Sequence, residues 1–81
     1  MRVRSLFFAA YRDLAGRGEL DVELPPGATV SDLVAVVRRS AERLAGLPAQ
    51  PVVAVNQEYA GYEQHLRDGD EVAFIPPVAG G

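Results

Sequence analysis

The sequence predicts an α+β fold, a mixed sheet of four to five strands covered on one face by one main helix. Three observations carry this. Glu19–Leu24 alternates strictly between acidic and apolar residues, the period of a strand with one buried face. Val30, Leu33, Val34, Val37, Ala41 and Leu44 recur at helical spacing, which gives one long helix a single buried stripe. Finally, the chain has 81 residues, 48% hydrophobic and 23% charged, with no Cys and one His. That is one domain, and its core must hold by packing, because disulfides, a structural zinc and a catalytic thiol are excluded.

The elements follow in order. Arg2–Ala9 reads as a strand, with β-branched and aromatic types concentrated toward Leu6-Phe7-Phe8. Ala10–Ala15 has room for a short helical turn before Gly16 and Gly18 break it. Glu19–Leu24 is the second strand, close enough to the first to pair antiparallel, and Pro25-Pro26-Gly27 stops it. Thr29 is the expected N-cap of the main helix, with Asp32 three residues on as a weak capping box. Arg38, Arg39 and Arg43 suit the negative end of its dipole, Gly46 is the expected C′ residue and Pro48 blocks continuation. Pro51–Val55 is a short apolar strand, Asn56-Gln57 a turn and Glu58–Gly61 a small return strand. Tyr62–Leu66 is expected to form one helical or 3₁₀ turn. Asp68-Gly69-Asp70 is a turn, and Glu71–Ile75 is the last strand. This order is that of a β-grasp, or ubiquitin-like, fold, with the first and last strands side by side at the centre. Residues 1–75 then form the domain and residues 76–81 an extended C-terminal tail.

The net charge of −3 argues against nucleic acid as the main partner, since that binding runs on phosphate neutralisation. No apolar run approaches the roughly 20 residues of a membrane helix. No signal-peptide core follows Met1-Arg2-Val3-Arg4, so a cytoplasmic, membrane-free protein is the expectation. All eight basic residues are Arg. Codon bias is the simpler cause. The functional reading is a chain that offers no ε-amine to an activated acyl group.

The C-terminus is the most informative feature. The chain ends Pro76-Pro77-Val78-Ala79-Gly80-Gly81. A frayed end is the bland reading of two glycines. The context favours another. Pro76-Pro77 stiffens the exit from the last strand in an extended form. Six extended residues reach about 20 Å. Glycines at the tip let backbone enter a narrow tunnel that side chains would block. The group so presented is the carboxylate of Gly81, which an ATP-using partner can activate as an acyl adenylate for attack by an amine, a thiol or a sulfide equivalent.

Five stretches together resemble a known family: Leu6-Phe7-Phe8-Ala9; Arg12 with Leu14-Ala15-Gly16; Val53-Ala54-Val55-Asn56-Gln57; Asp68-Gly69-Asp70-Glu71-Val72-Ala73-Phe74; and Ile75 to Gly81. The resemblance is to the MoaD family, the small subunits of molybdopterin synthase, and it covers essentially the whole chain. It implies a sulfur carrier that is non-catalytic alone. A MoeB-type enzyme adenylates the terminal glycine with ATP, sulfur converts it to a thiocarboxylate, and the tail inserts into the large subunit, MoaE. Sulfur then passes to cyclic pyranopterin monophosphate to form the molybdopterin dithiolene. The implied assembly is a heterotetramer of two small and two large subunits. No metal and no permanently bound cofactor is implied. Carried onto this chain, Gly81 bears the thiocarboxylate and Gly80 threads the pocket. Nothing near Gly81 supplies acid or base, since Val78 and Ala79 are inert, so those groups belong to the partner.

A docking surface is legible independently. The helix covers one sheet face, yet the first and last strands carry apolar residues on both. Phe8 and Ile75, with Tyr59, are the surplus and form an expected exposed patch, leading into Pro76, Pro77, Val78 and Ala79. The alternative is that Phe8 and Ile75 pack beneath a loop. In the family the matching positions lie on the partner-binding surface, although Tyr and Ile here replace more typical Leu and Phe. His65 reads as a surface residue, Asp68 to Glu71 as a turn of solvated carboxylates without EF-hand spacing, and Arg38, Arg39 and Arg43 as a solvated helix face or rim contacts. Two competing readings share the tip chemistry: a sulfur carrier for thiamine or tRNA thiolation, and a ubiquitin-like modifier joined through Gly81 to lysines of other proteins. Thiamine-pathway carriers are usually shorter and lack the Pro76-Pro77-Val78 run.

Overall fold

The sheet is assembled from both ends of the chain. The computed structural model describes residues 1–77. Strand β1 (Arg2–Phe7) pairs antiparallel with β2 (Glu19–Glu23) and parallel with β5 (Glu71–Ile75). On its other side β5 pairs antiparallel with β3 (Val52–Val55), which pairs with the short β4 (Glu58–Ala60). The order β2-β1-β5-β3-β4 puts the first and last strands together, with β5 in the middle.

β1 ends two residues earlier than the sequence suggests. Phe8 is still extended (φ −124°, ψ 154°), but it is the N-cap of helix α1 (Ala9–Ala15), and Ala9 turns the chain with φ 47°. The left-handed conformation is costly for a residue with a Cβ, so this is a strained corner. α1 ends at Gly16, whose φ of 73° lets its N–H donate to Arg12 O at 2.9 Å.

The main helix, α2 (Val30–Ser40), starts as predicted and stops sooner. Thr29 Oγ1 accepts from Asp32 N, and Asp32 Oδ2 accepts from Thr29 N at 2.9 Å, a complete capping box. Val30, Leu33, Val34 and Val37 are buried against the sheet. The helix does not run on to Leu44. Ala41 is extended and exposed, and a 3₁₀ helix follows at Glu42–Gly46, so Gly46 is not the C′ residue of α2. Eleven helical residues span about 16 Å, and a straight continuation would carry Leu44 past the sheet. The break turns the chain back, and both Leu44 and Leu47 are buried.

Tyr62–Leu66 is not helical. Its backbone instead serves the start of α2, whose first N–H groups have no partner within the helix. Val30 N donates to Gln64 O and Ser31 N to Tyr62 O, while Leu66 N donates to Ala28 O. His65 forms a bridge with Thr29. No helix among the described residues is long and apolar enough to cross a membrane.

Phe7 and Phe74 face each other across the β1–β5 pair, with ring centroids 5.4 Å apart, and both are essentially fully buried. Phe74→Ala should cost about 3–5 kcal/mol, comparable to the whole stability of so small a domain, so chemical denaturation should find the variant largely unfolded. The β3–β4 turn has the opposite margin. Asn56 and Gln57 both have positive φ, 50° and 73°, as a two-residue primed hairpin turn requires. Gln57→Gly should relieve that strain and raise unfolding free energy by about 0.5–1 kcal/mol, measured in urea.

Candidate functional site

Helix α2 covers one face of the sheet and leaves the other open. Pairing register states which residues share the open face. Leu6 stands opposite Ala73, Ala73 opposite Ala54, and Ala54 opposite Tyr59; Ile75 stands opposite Val52. Phe8 continues the β1 alternation beyond Leu6. Four strands thus contribute to one apolar surface. Phe8 is 50% exposed, Val52 52% and Tyr59 79%, while Leu6, Ala73 and Ile75 are half-buried. Among the described residues these three are the exposed large hydrophobic side chains, and all three lie on this surface.

The structure therefore places Phe8, Tyr59 and Ile75 together, and the loop burial of Phe8 does not occur. Pro76, half-buried, and Pro77, exposed, leave the sheet directly beside them. Val78, Ala79, Gly80 and Gly81 lie outside the described residues. Val52 escaped the sequence reading. The run Val52-Val53-Ala54-Val55 is apolar throughout, so alternation cannot say which residues face out, and only the pairing of Val52 with Ile75 does.

The other half of the open face is ionic. Arg2 stands opposite Glu23 and Arg4 opposite both Asp21 and Glu71. Arg2 Nε is 3.0 Å from Glu23 Oε1, and an Arg4 guanidinium nitrogen is 2.6 Å from Glu71 Oε2. The hydrogen bond that Arg4 donates to Glu71, followed by the charge of Glu19, pushes the Arg4 pKa further above its ordinary value. These exposed pairs set charge pattern more than stability.

The acidic turn lies at the surface as expected, Asp68 exposed and Asp70 half-buried, and its carboxylates also accept local hydrogen bonds. Asp68 Oδ1 accepts from Arg2 N at 2.7 Å, Asp70 Oδ2 accepts from Arg67 N at 2.8 Å, and Asp70 Oδ1 accepts from Asn56 Nδ2 at 2.9 Å. Its carboxylates bind backbone and the hairpin turn, which ties β5 to its neighbours. His65 is exposed, with Nδ1 3.0 Å from Gly27 O. Among the described residues no three His, Cys, Asp or Glu side chains cluster as a metal site would require.

A five-stranded β-grasp body with an apolar open face and a Pro-Pro run leaving its central strand defines a ubiquitin-like protein. The ThiS family profile matches residues 5–81. A molybdopterin synthase sulfur carrier subunit from Chlamydomonas reinhardtii is 41% identical over 83 aligned residues, covering all of both chains. One from Escherichia coli is 39% identical, covering 98% of this chain and 99% of its own. The chain belongs to the ThiS family and groups with the molybdopterin synthase sulfur carrier subunits. Among solved structures, SAMP1 from Haloferax volcanii superposes with a TM-score of 0.89 at 27% identity over the full length of both chains. A chain of the Amycolatopsis orientalis BexX/CysO complex superposes at 0.63 with 29% identity, covering 98% of this chain and 99% of its own. A chain of the complex of subunits 1 and 2 of molybdopterin-converting factor from Helicobacter pylori superposes at 0.73 over all of both chains; at 23% identity that likeness is one of fold.

Proposed function

We propose that this chain is the sulfur-carrier subunit of molybdopterin synthase and that Gly81 is its reactive residue. The observation that carries this reading is the continuity of β5 with the closing sequence. The central strand runs in register to Ile75 and passes at once into Pro76-Pro77 and the Val78-Ala79-Gly80-Gly81 end, beside an apolar surface. A partner that seats on that surface receives the terminus at a defined place. Its full-length likeness to named sulfur carrier subunits supports the same assignment.

The chemistry divides between chain and partners. An activating enzyme of the MoeB type joins the Gly81 carboxylate to the adenylyl group of ATP and releases pyrophosphate. A sulfur donor displaces AMP and leaves a thiocarboxylate. That sulfur is a better nucleophile than a carboxylate oxygen because it is soft and polarizable. Inside a MoaE-type large subunit it attacks a carbon of the pyranopterin precursor, a C–S bond forms as that carbon's C–O bond breaks and the oxygen departs as water or with the phosphate, and water then hydrolyses the acyl–sulfur bond and returns the Gly81 carboxylate. Two such deliveries build one dithiolene, which suits an assembly of two small and two large subunits. The chain contributes reach, a narrow tip and a docking face; the partner contributes acid and base. Glycines at the tip keep the backbone slim enough for a closed pocket.

A second reading, a protein modifier joined to lysines through Gly81, is favoured by one observation, the TM-score of 0.89 to SAMP1, a fold neighbour that shares 27% of its residues. Intact mass of protein from the native host separates the two. An oxygen-to-sulfur exchange at Gly81 is expected; isopeptide conjugates without it would overturn the carrier reading. Deleting Gly81 should abolish dithiolene formation in a reconstituted synthase while leaving the melting temperature unchanged.

The docking face makes its own prediction. Val52→Asp and Tyr59→Ala should weaken the complex with the large subunit by about 1–3 kcal/mol each, read as Kd by calorimetry. Folding stability should change by less than about 1 kcal/mol, because both side chains already face water.

A further inference from the structure

The arginines of this chain are not spread evenly. Arg2 and Arg4 face carboxylates on the ionic half of the open sheet. The other six, Arg12, Arg17, Arg38, Arg39, Arg43 and Arg67, have no carboxylate within ion-pair distance among the described residues. Five of those six converge on one end of the molecule, and the topology says which end. β1 and β5 run parallel, so α1, which follows β1, lies at the end where β5 gives way to Pro76. Gly18 O accepts from Phe7 N at 2.9 Å, which sets the loop after α1 level with Phe7 and its partner Phe74. The 3₁₀ segment after α2 packs on α1: the space where a Gly46 side chain would stand is 3.4 Å from a Leu14 methyl.

The local contacts draw the guanidinium groups onto this end without neutralising them. An Arg43 nitrogen is 3.6 Å from where a Gly16 side chain would stand, and the Arg12 Nε is 3.8 Å from the same place at Gly18. Arg43 donates to Asp13 O at 3.4 Å, and Arg38 Nε donates to Leu47 O at 2.9 Å. A backbone carbonyl orients a guanidinium but leaves its unit charge intact. Residues 9–18 and 38–47 carry five Arg against two acids, Asp13 and Glu42, in a protein of net charge −3. Glu19 stands at the edge of this end, opposite Leu6 and 3.8 Å from an Arg4 nitrogen, while the opposite end holds Glu23, Asp68 and Asp70 beside Arg2 and Arg67, so the excess of arginine lies at the end where β5 gives way to Pro76.

We propose that Arg12, Arg17, Arg39 and Arg43 form a cationic collar that meets carboxylates at the mouth of the cleft that receives the C-terminal tail, and so steers the molecule tail-first. This rests on the carrier reading of Gly81. Arg12 is one helical turn from Phe8, whose carbonyl accepts from Arg12 N, so the arginine-rich end borders the open face at this corner. A collar at the root of the tail stands up to about 20 Å from the tip, beyond the roughly 8–10 Å over which charges act in physiological salt. It therefore addresses the rim of the cleft rather than the anionic substrates at its bottom. A field of this kind speeds encounter more than it slows release.

The test is stopped-flow association of the full chain with the large subunit at salt from about 20 mM to about 300 mM, where screening grows strong. Arg12→Glu/Arg17→Glu/Arg43→Glu should lower the association rate about tenfold or more at low salt, with little change in dissociation rate, and the difference should vanish at high salt. Arg67→Glu, at the far end and equally exposed, should change it less than about twofold, and circular dichroism confirms that both variants fold. Equal slowing by both, or no slowing by the triple variant, overturns the collar. Collar-dependent retention on bulk tRNA with unchanged association to the large subunit also overturns it, in favour of an RNA contact. The carrier reading fails separately, by absence of sulfur on Gly81 in the intact mass of the same wild-type preparation.

Discussion

The parallel pairing of β1 with β5 joins two segments that lie at opposite ends of the chain, and everything else is arranged around it. Ser5 meets Val72 and Phe7 meets Phe74, so the first and last elements share a single register. Parallel neighbours leave the sheet at the same end. That one fact brings Phe8, the turn into α1, and the Pro76-Pro77 exit together. It also costs the most loop-closure entropy of any pairing in the molecule, and the two buried phenylalanines supply the compensating contact.

A sheet with one helix has one covered face by construction. In this chain α2 is short, and the 3₁₀ segment returns Leu44 and Leu47 to the core instead of extending over more sheet. The open face then divides by register into an apolar half beside the tail exit and an ionic half beside β2. Charge follows the same division in three dimensions. Backbone carbonyls of α1 and of the segment after α2 hold Arg43 and Arg38 toward the tail root, while Glu23 and the Asp68–Asp70 turn sit away from it. The arginine-rich end and the apolar half of the open face thus both adjoin the Pro76-Pro77 exit. On the carrier reading proposed above, the chemistry belongs to the terminus and the body supplies the surface on which a partner seats.

The elements with strong local chemistry were legible in the residues alone. Strict alternation in Glu19–Glu23, the Thr29–Asp32 capping box and the Asn56-Gln57 turn each carry their own instruction, and each is where the pattern puts it. Phe8, Tyr59 and Ile75 were legible as surplus apolar residues because one helix cannot cover two faces. Three features were not. Helical spacing runs through Ala41 to Leu44 without a breaker, so nothing local announces the break at Ala41. Tyr62–Leu66 has turn-like composition, but its backbone groups are claimed by α2. Val52 looks like core in a continuous apolar run, and only its strand partner turns it outward.

By itself, then, the sequence determined the element types, the fold class, the absence of cysteine and lysine, and the Gly-Gly end, because these depend on local periodicity, capping and composition. Tertiary structure alone decided which residues share the open face, where α2 stops, and that five arginines with no ion pair among the described residues gather at one pole. Those outcomes depend on strand register and on the distance a helix must span, and neither is encoded within any single segment.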